Sequence, residues 1–501
     1  MDSGGIIQQA LDAGRRTLDE QSAHQILSAY GVPMVAQQFY SDPDGAVTAA
    51  QAMKFPVVLK GVGPKLQHKT EHGMVRLNLG SPEEVRRAAQ ELLTRDKSRV
   101  EGLLLQPQIE GQREFSAGVV RDSQFGPMVM FGLGGIFTEV MEDTTFGAAP
   151  LPPGYARQML RRVRARKLLG AFRGSRPVNQ DQLVQILEAL SRLALEIPEI
   201  QEVDLNPLIA DLSGQIWAVD VLITLSAAPD QPNQGMPPAT IPPQRIGELF
   251  YPRSIAFVGA SATLGKWGHM LVTNTLNGGY EGRIALVNPK GGTIMGNPVY
   301  HSLAEIPHEV DLAVVTLPAR RVPDLVKELK EKEIRNMVLI SSGFGETDAA
   351  GKALEQDLAA TARQAGILLL GPNTMGIANP HIKLNCIGSP VFPLAGSTAV
   401  VAQSGNMGTQ LLAFAEAQGI GIRAFIGSGN EAMLTIEDYL EAFGVDEKTR
   451  TVMMYLESVK NGPRFLEAAA RVGRSKPIVM LTGGRSKAGN RAAASHTGAL
   501  A

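Results

Sequence analysis

Near its end the sequence runs Arg491-Ala-Ala-Ala-Ser495-His496-Thr497-Gly498, one histidine among residues too small to crowd it, downstream of the pair Gly483-Gly484. A histidine so placed on a loop is free to swing between two sites, and imidazole is a good covalent nucleophile toward phosphorus. Val452-Met-Met-Tyr455-Leu-Glu457 reads as a strand ending in a carboxylate that could orient such an imidazole and make one nitrogen the nucleophile. Gln403-Ser404-Gly405-Asn406, between a strand and a helix, can present N–H groups and a positive helix end to an anion. Far upstream, Lys60 ends a short strand and can neutralise phosphate oxygens. Asn206 and Asp220 sit at similar places on two successive strands, and an amide and a carboxylate oxygen completed by phosphates suit Mg²⁺.

These residues need elements to hold them. Pro56-Val-Val-Leu-Lys60 is a buried-strand pattern, followed by a loop carrying His68-Lys69-Thr70-Glu71-His72. A helix is expected through about Tyr30, ended by Gly31-Val-Pro33, and Ser81-Pro-Glu-Glu84 opens another as a capping box. Strands flank Gly111-Gln-Arg-Glu114, Met128–Glu139 runs a strand into the turn Gly134-Gly135, and Gln180–Glu196 is a long amphipathic helix. Residues 227–244, with six prolines and no apolar periodicity, read as a linker.

Beyond the linker, Ser254–Val258 leads into Gly259-Ala-Ser261-Ala-Thr-Leu-Gly265-Lys266-Trp-Gly268, a variant of the dinucleotide-binding first turn. The next strand ends Asn288-Pro289-Lys290 rather than in an acid, which suits a phosphorylated ribose better than a free 2′-hydroxyl. Further strands alternating with helices predict a doubly wound sheet, and the pattern restarts beyond Gly371-Pro-Asn373.

Composition bounds the rest. The 501 residues are too many for one core, and 44% apolar with 19% charged residues describes a globular α/β protein. The net charge of −1 argues against nucleic acid or an anionic membrane as the main partner. The single cysteine, Cys386, leaves no intramolecular disulfide or cysteine-clustered metal site and suits a reducing cytoplasm. Taken singly, each motif has an ordinary explanation, such as a strand-end turn at Asp204–Pro207 or a solvated loop at His68; their co-occurrence in order does not.

Seven motifs in order carry a resemblance across essentially the whole chain: Pro56–Lys60, His68–Glu71, Phe131–Phe137, Val203–Leu208, Gln403–Asn406, Tyr455–Glu457 and Ser495–Gly498. The chain resembles the ADP-forming acyl-CoA synthetases, or acetate–CoA ligases, of the succinyl-CoA synthetase superfamily. The resemblance implies an ATP-grasp module over 1–226, a Rossmann-like CoA-binding domain over 245–371 and a flavodoxin-like ligase domain over 372–501. The implied reaction interconverts acyl-CoA, ADP and phosphate with a carboxylic acid, CoA and ATP. It implies His496 as the phosphorylated histidine with Glu457 as its partner, and Gln403, Ser404, Gly405 and Asn406 as the phosphate turn. His68 matches a relay histidine, with His72 beside it as an alternative. Lys60 and Glu114 fall at nucleotide contacts, Asn206 and Asp220 at Mg²⁺ ligands, and Gly259, Ser261, Lys266, Asn288 and Lys290 at CoA contacts.

Val219-Asp220-Val221-Leu222 departs from the family's usual Val-Asp-Ala-Arg, so one basic nucleotide contact is expected to be missing. The family continues well beyond its phosphohistidine, whereas the sequence stops at Ala501. The expectation is therefore a C-terminally truncated ligase domain, working as a homo-oligomer or with a chain that supplies the remainder. Two other classes stay open: a CoA- and nucleotide-sensing regulatory protein without turnover, and an ATP-grasp ligase joining a carboxylate to an amine.

Overall fold

The computed structural model describes residues 3–63, 73–95, 100–135, 143–171, 175–226 and 241–483. It divides into two compact units, Met1–Gln234 and Gly235–Ala501. No helix among the described residues is long and apolar enough to cross a membrane.

The N-terminal unit holds two antiparallel sheets. The smaller orders its strands Gln38–Tyr40, Gly102–Pro107, Val57–Val62, Val75–Leu79. Alternation sends Val57, Leu59, Leu103 and Leu105 into a core against Ala46, Val47, Val85, Ala89 and Leu92 of the helices Pro43–Ala52 and Pro82–Arg95. Ser81 Oγ accepts the Glu84 N–H at 3.2 Å as the capping box requires, while the Glu84 carboxylate reaches back to the N–H of Gly80. The larger sheet centres on Ile200–Ala210 and Arg113–Asp122, backed by the helix Gln180–Glu196 through Leu183, Ile186, Leu187, Leu190 and Leu193 at helical spacing. Phe115 and Phe131 stack at 5.9 Å in this core. The expected first helix is two, Ser3–Asp12 and Glu20–Ala29. Gly14 at φ 70° lies between them, and Asp19 restarts the helix by accepting the Ser22 N–H at 2.8 Å.

In the C-terminal unit the strands Ser254–Val258, Arg283–Val287, Asn297–Tyr300, Leu312–Val315, Asn336–Leu339 and Leu368–Leu370 form a parallel sheet. Their spatial order is 3-2-1-4-5-6, the doubly wound order that opens a ligand crevice at the carboxyl ends where the winding reverses. A second sheet sets Ile422–Gly427, Ala395–Ala402, Thr451–Leu456 and Ile478–Thr482 in parallel, extended antiparallel by Gly376–Asn379 and Leu384–Ile387. Here the parallel winding reverses around Ala395–Ala402, with Ala402 paired to Tyr455. Gln403 and Glu457 therefore leave neighbouring strands at a switch point, with their separation set by register.

Candidate functional site

Backbone amides and one side-chain amide build the turn Gln403–Asn406, where the sequence leads one to expect a phosphate turn. Ser404 is the N-cap of the helix Gly405–Ala417, and its hydroxyl accepts the Met407 N–H at 3.5 Å. Gln403 ties the turn to the next strand end. Its Oε1 accepts the N–H groups of Glu457 at 2.6 Å and Ser458 at 3.0 Å, and its Nε2 donates to Ser458 O at 2.9 Å and Glu431 Oε1 at 3.0 Å. An amide with every bond satisfied fixes both loops without adding a charge.

Glu431 is a residue the sequence reading passed over. It is buried, and its carboxylate also accepts from Ser428 Oγ at 2.7 Å and the Ile436 N–H at 3.3 Å. Burial above all pushes its pKa up to about 7, with nearby Glu437 adding to the rise and Lys460, Ser428 and Gln403 opposing it. Lys460 Nζ donates to the backbone oxygens of Asn430 and Glu431, both at 2.7 Å. The acid in Gly427-Ser-Gly429-Asn430-Glu431, at the end of a buried strand, was the available signal. Glu457 lies beside Tyr455, whose hydroxyl pKa is raised by burial and then by the Glu457 carboxylate to which it hydrogen-bonds. The chain returns here: Gly483 N–H donates to Leu456 O, and a Cβ on Gly483 would stand 2.7 Å from the Tyr455 hydroxyl. His496 lies outside the described residues, as do His68 and His72.

Ser404, Gly405 and Asn406 open into a cavity of about 560 Å³, walled also by Thr316, Ser341 and Thr374 from the crevice of the neighbouring sheet. Around that crevice, Gly259 has φ 93° and a Cβ there would meet Thr316 Oγ1 at 2.7 Å, so the turn requires glycine. Val258 pairs with Val287, which brings the turn beside Asn288. Asn288 Nδ2 donates to Ala260 O at 2.9 Å and its Oδ1 accepts the Lys290 N–H at 3.0 Å, locking the two loops together. Ser261 Oγ accepts the Thr263 N–H at 3.1 Å, and Lys266 stands exposed at the start of the helix Trp267–Asn277. The five expected CoA contacts thus gather at two adjacent strand ends and the helix that follows.

In the N-terminal unit, Val219 N–H donates to Pro207 O and Leu222 pairs with Asp204, a register that sets Asp220 opposite Asn206. Asn206 Oδ1 accepts the Gly135 N–H at 3.0 Å. Gly135 has φ 65°, and a Cβ there would collide with Glu114 Oε2, so Glu114 and Asn206 meet on one glycine turn. Lys60 is buried, and its ammonium donates to Glu20 at 3.0 Å, Asp220 at 3.0 Å and Val219 O at 2.7 Å. Those bonds use all three of its donors. Burial works against its charge, but Asp220 and Glu20 outweigh burial and hold its pKa above the ordinary lysine value. Glu20, sequence-distant and on the face of a helix, gave no signal beforehand. Among the described residues no group of three or more His, Cys, Asp or Glu side chains could hold a metal ion. One carboxylate and one amide oxygen nonetheless fit a hard cation that takes most of its ligands from phosphate and water.

The chain is 35% identical over 491 residues to the ADP-forming acetate–CoA ligase II of Archaeoglobus fulgidus, an alignment covering 96% of this chain and 70% of that protein. The chain belongs to the ADP-forming acyl-CoA synthetase family. Within that family frame, residues 9–225 match the ATP-grasp domain, 253–380 the CoA binding domain and 395–501 the succinyl-CoA ligase like flavodoxin domain. Two Pyrococcus furiosus proteins divide the likeness. The alpha subunit of ADP-forming acetate–CoA ligase I is 45% identical over 50% of this chain and 56% of its own length, and the beta subunit 37% identical over 44% and 96%. A solved acetyl-coenzyme A synthetase 1 of Candidatus Korarchaeum cryptofilum, in complex with phosphate and ADP, is 35% identical over 51% of this chain and 55% of that one, with a TM-score of 0.48. The chain thus spans about half to 70% of the length of the larger relatives it matches.

Proposed function

We propose that this protein interconverts acyl-CoA, ADP and phosphate with a carboxylic acid, CoA and ATP, through a phosphoryl group carried on His496. Residues 1–226 would hold the nucleotide, 245–371 the CoA and 372–501 the phosphorylated loop, with 227–244 between them. The observation that carries this reading is the phosphate turn: the positive end of the helix Gly405–Ala417 opens into a cavity shared with a doubly wound crevice, and Gln403 bonds that turn to Glu457. Membership of the acyl-CoA synthetase family supports it.

In the direction of ATP formation, phosphate attacks the thioester carbonyl, the carbon–sulfur bond breaks, and CoA leaves as the thiol. The resulting acyl phosphate lies with its phosphoryl group at the N–H groups of Gly405 and Asn406, which stabilise charge on the phosphoryl oxygens. One nitrogen of His496 attacks phosphorus and the bond to the acyl oxygen breaks, freeing the carboxylate. Glu457 accepts the hydrogen bond of the other ring nitrogen and favours the imidazolium that forms. The loop then carries the phosphoryl group to the nucleotide site, where His68 relays it and ADP takes it up. Lys60 and Glu114 contact the nucleotide there. Asn206 and Asp220 would hold Mg²⁺, which neutralises phosphate charge during transfer. A reducing cytoplasm suits the free, buried Cys386.

The test is intact mass after incubation with ATP and Mg²⁺, with acid treatment as control. An acid-labile phosphoryl adduct, lost in His496→Ala, is expected. An adduct that survives His496→Ala but not His68→Ala would place the store at the wrong histidine. No adduct in a protein that still binds ATP would end the reading.

A further inference from the structure

One wall of the 560 Å³ cavity differs from the rest. Serine and threonine side chains and the phosphate turn make most of its lining, and among the described residues none of the lining side chains is charged. The apolar part of the lining is Leu317, Pro318, Ile340, Trp267 and Met375, and of these Met375 packs on Gly405 of the turn with Trp267 beside it across Gly388. Trp267 is 42% exposed, an expensive position for an indole unless something apolar covers it.

The fold keeps these two side chains in place by keeping three glycines bare. A Cβ on Gly388 would collide with the Trp267 ring at Cζ3 and stand 3.0 Å from Met375 Sδ. One on Gly405 would meet Met375 Cε at 2.8 Å, and one on Gly427 would meet Met375 Cβ at 2.9 Å. Asn274, on the same helix as Trp267, donates to Ile387 O at 2.8 Å and Ser389 O at 3.0 Å, bracketing Gly388 and fixing the helix against it. The indole and the thioether are therefore preset, and the thioether packs directly on the phosphate turn.

We propose that Trp267 and Met375 are the residues that read the acyl group, forming the apolar wall for the tail of an uncharged carboxylic acid whose carboxyl end meets Ser404–Asn406. The proposal rests on the acyl-CoA synthetase reading. It follows from the geometry of acyl phosphate: with the phosphoryl group at the turn, the carbon chain must leave within a few ångströms of Met375. An uncharged lining also leaves a second carboxylate without a partner.

The test measures kcat/KM for acetate, butyrate, hexanoate and phenylacetate, with KM for CoA, in the full chain and in Trp267→Ala, Met375→Ala and Gly388→Ala. Removing apolar wall should raise the hexanoate-to-acetate ratio by roughly tenfold or more, the worth of a few methylenes in a pocket. Gly388→Ala pushes the indole inward and should lower the ratio, while KM for CoA changes little. A ratio unmoved in all three variants overturns the proposal, as does an effect confined to KM for CoA, which would put the wall against the thiol arm instead. A spectroscopic arm needs no turnover. The chain has two tryptophans, so Trp217→Phe leaves Trp267 as the sole reporter. Its emission should respond more to hexanoyl-CoA than to CoA, and equal responses would overturn the wall. Absence of turnover with every acid would instead sink the functional reading, with the fluorescence comparison still deciding the wall.

Discussion

The two units handle phosphate, under the proposed reading, by opposite means. Around Lys60 the N-terminal unit gathers full charges that already satisfy one another: the ammonium bonds Glu20, whose side chain is 5% exposed, and Asp220, which is 35% exposed. At Gln403 the C-terminal unit instead presents a helix end and an amide with its bonds filled to a cavity whose described lining carries no charged side chain. The difference separates two tasks. Under that reading a site of paired charges would admit Mg²⁺ and nucleotide by exchanging partners, and Asp220, the more exposed of the two carboxylates, is the one placed to exchange. A site of fixed dipoles can hold a phosphoryl group without the Coulomb energy that would stop it leaving.

The largest effect should come from removing the shared cation. Lys60→Met removes the ammonium that Glu20 and Asp220 share, and breaking a buried pair in this way costs about 3–5 kcal/mol. Urea unfolding followed by Trp217 in a Trp267→Phe background reads the N-terminal unit alone. A loss below about 1 kcal/mol would mean that the charges are dispensable and the contrast is false.

The dipole site has its own titrating group, and its sign is opposite to that of a salt-bridged carboxylate. Glu431 is raised from 4.5 to about 7, so its stabilising contribution is complete below pH 4.5 and is lost as pH rises to about 7. The groups around it are Lys460, Glu437 and Tyr439, with Gln403, Ser428 and the Ile436 N–H as its hydrogen-bond donors. The loss across that window is on the order of 3 kcal/mol, and Glu431→Gln should flatten it. Unfolding followed by Trp267 between pH 4.5 and 8 measures the slope, and a variant with the wild-type slope would remove Glu431 from the account.

Gln403→Ala strips the clamp but leaves the helix end. The N–H groups of Glu457 and Ser458 lose their acceptor, at about 1–3 kcal/mol of stability. The rate of phosphoenzyme formation should fall further than stability alone explains, since Glu457 is no longer held against the turn. Equal losses in Gln403→Ala and in a surface control of matched stability would make the clamp purely structural.

What the sequence made legible was local. Val57–Lys60 reads as a strand because its apolar residues are contiguous, Gln180–Glu196 as a helix because they recur every third or fourth residue, and Gln403–Asn406 as a turn because glycine and a cap residue follow a buried run. Partners across the fold were not legible. Nothing near Lys60 announces Glu20, nothing near Gln403 announces Glu431, and Gly388 gives no hint that it is bare for Trp267. Such pairs depend on which strand ends meet, and a single sequence carries that only after its topology is known. The split of the first helix at Gly14 was missed for the opposite reason: the apolar period continues through it, and a positive φ leaves no trace in a hydropathy pattern.

The smallest effect is the sharpest test of the dipole site. Ser404 caps the helix with a long bond, 3.5 Å to the Met407 N–H, so Ser404→Ala should cost at most about 1 kcal/mol of stability. Ser404 nevertheless lines the cavity together with Gly405 and Asn406. If phosphate is held there by neutral donors, losing one of them weakens phosphate binding by roughly tenfold while unfolding barely moves, because a hydrogen bond to a charged group is worth about 1.5–3 kcal/mol against about 1 for a cap. The dependence of that binding on salt should stay shallow in both proteins. Phosphate binding that instead collapses with salt would reveal a cation at the site, and the contrast between the two units would be one of degree.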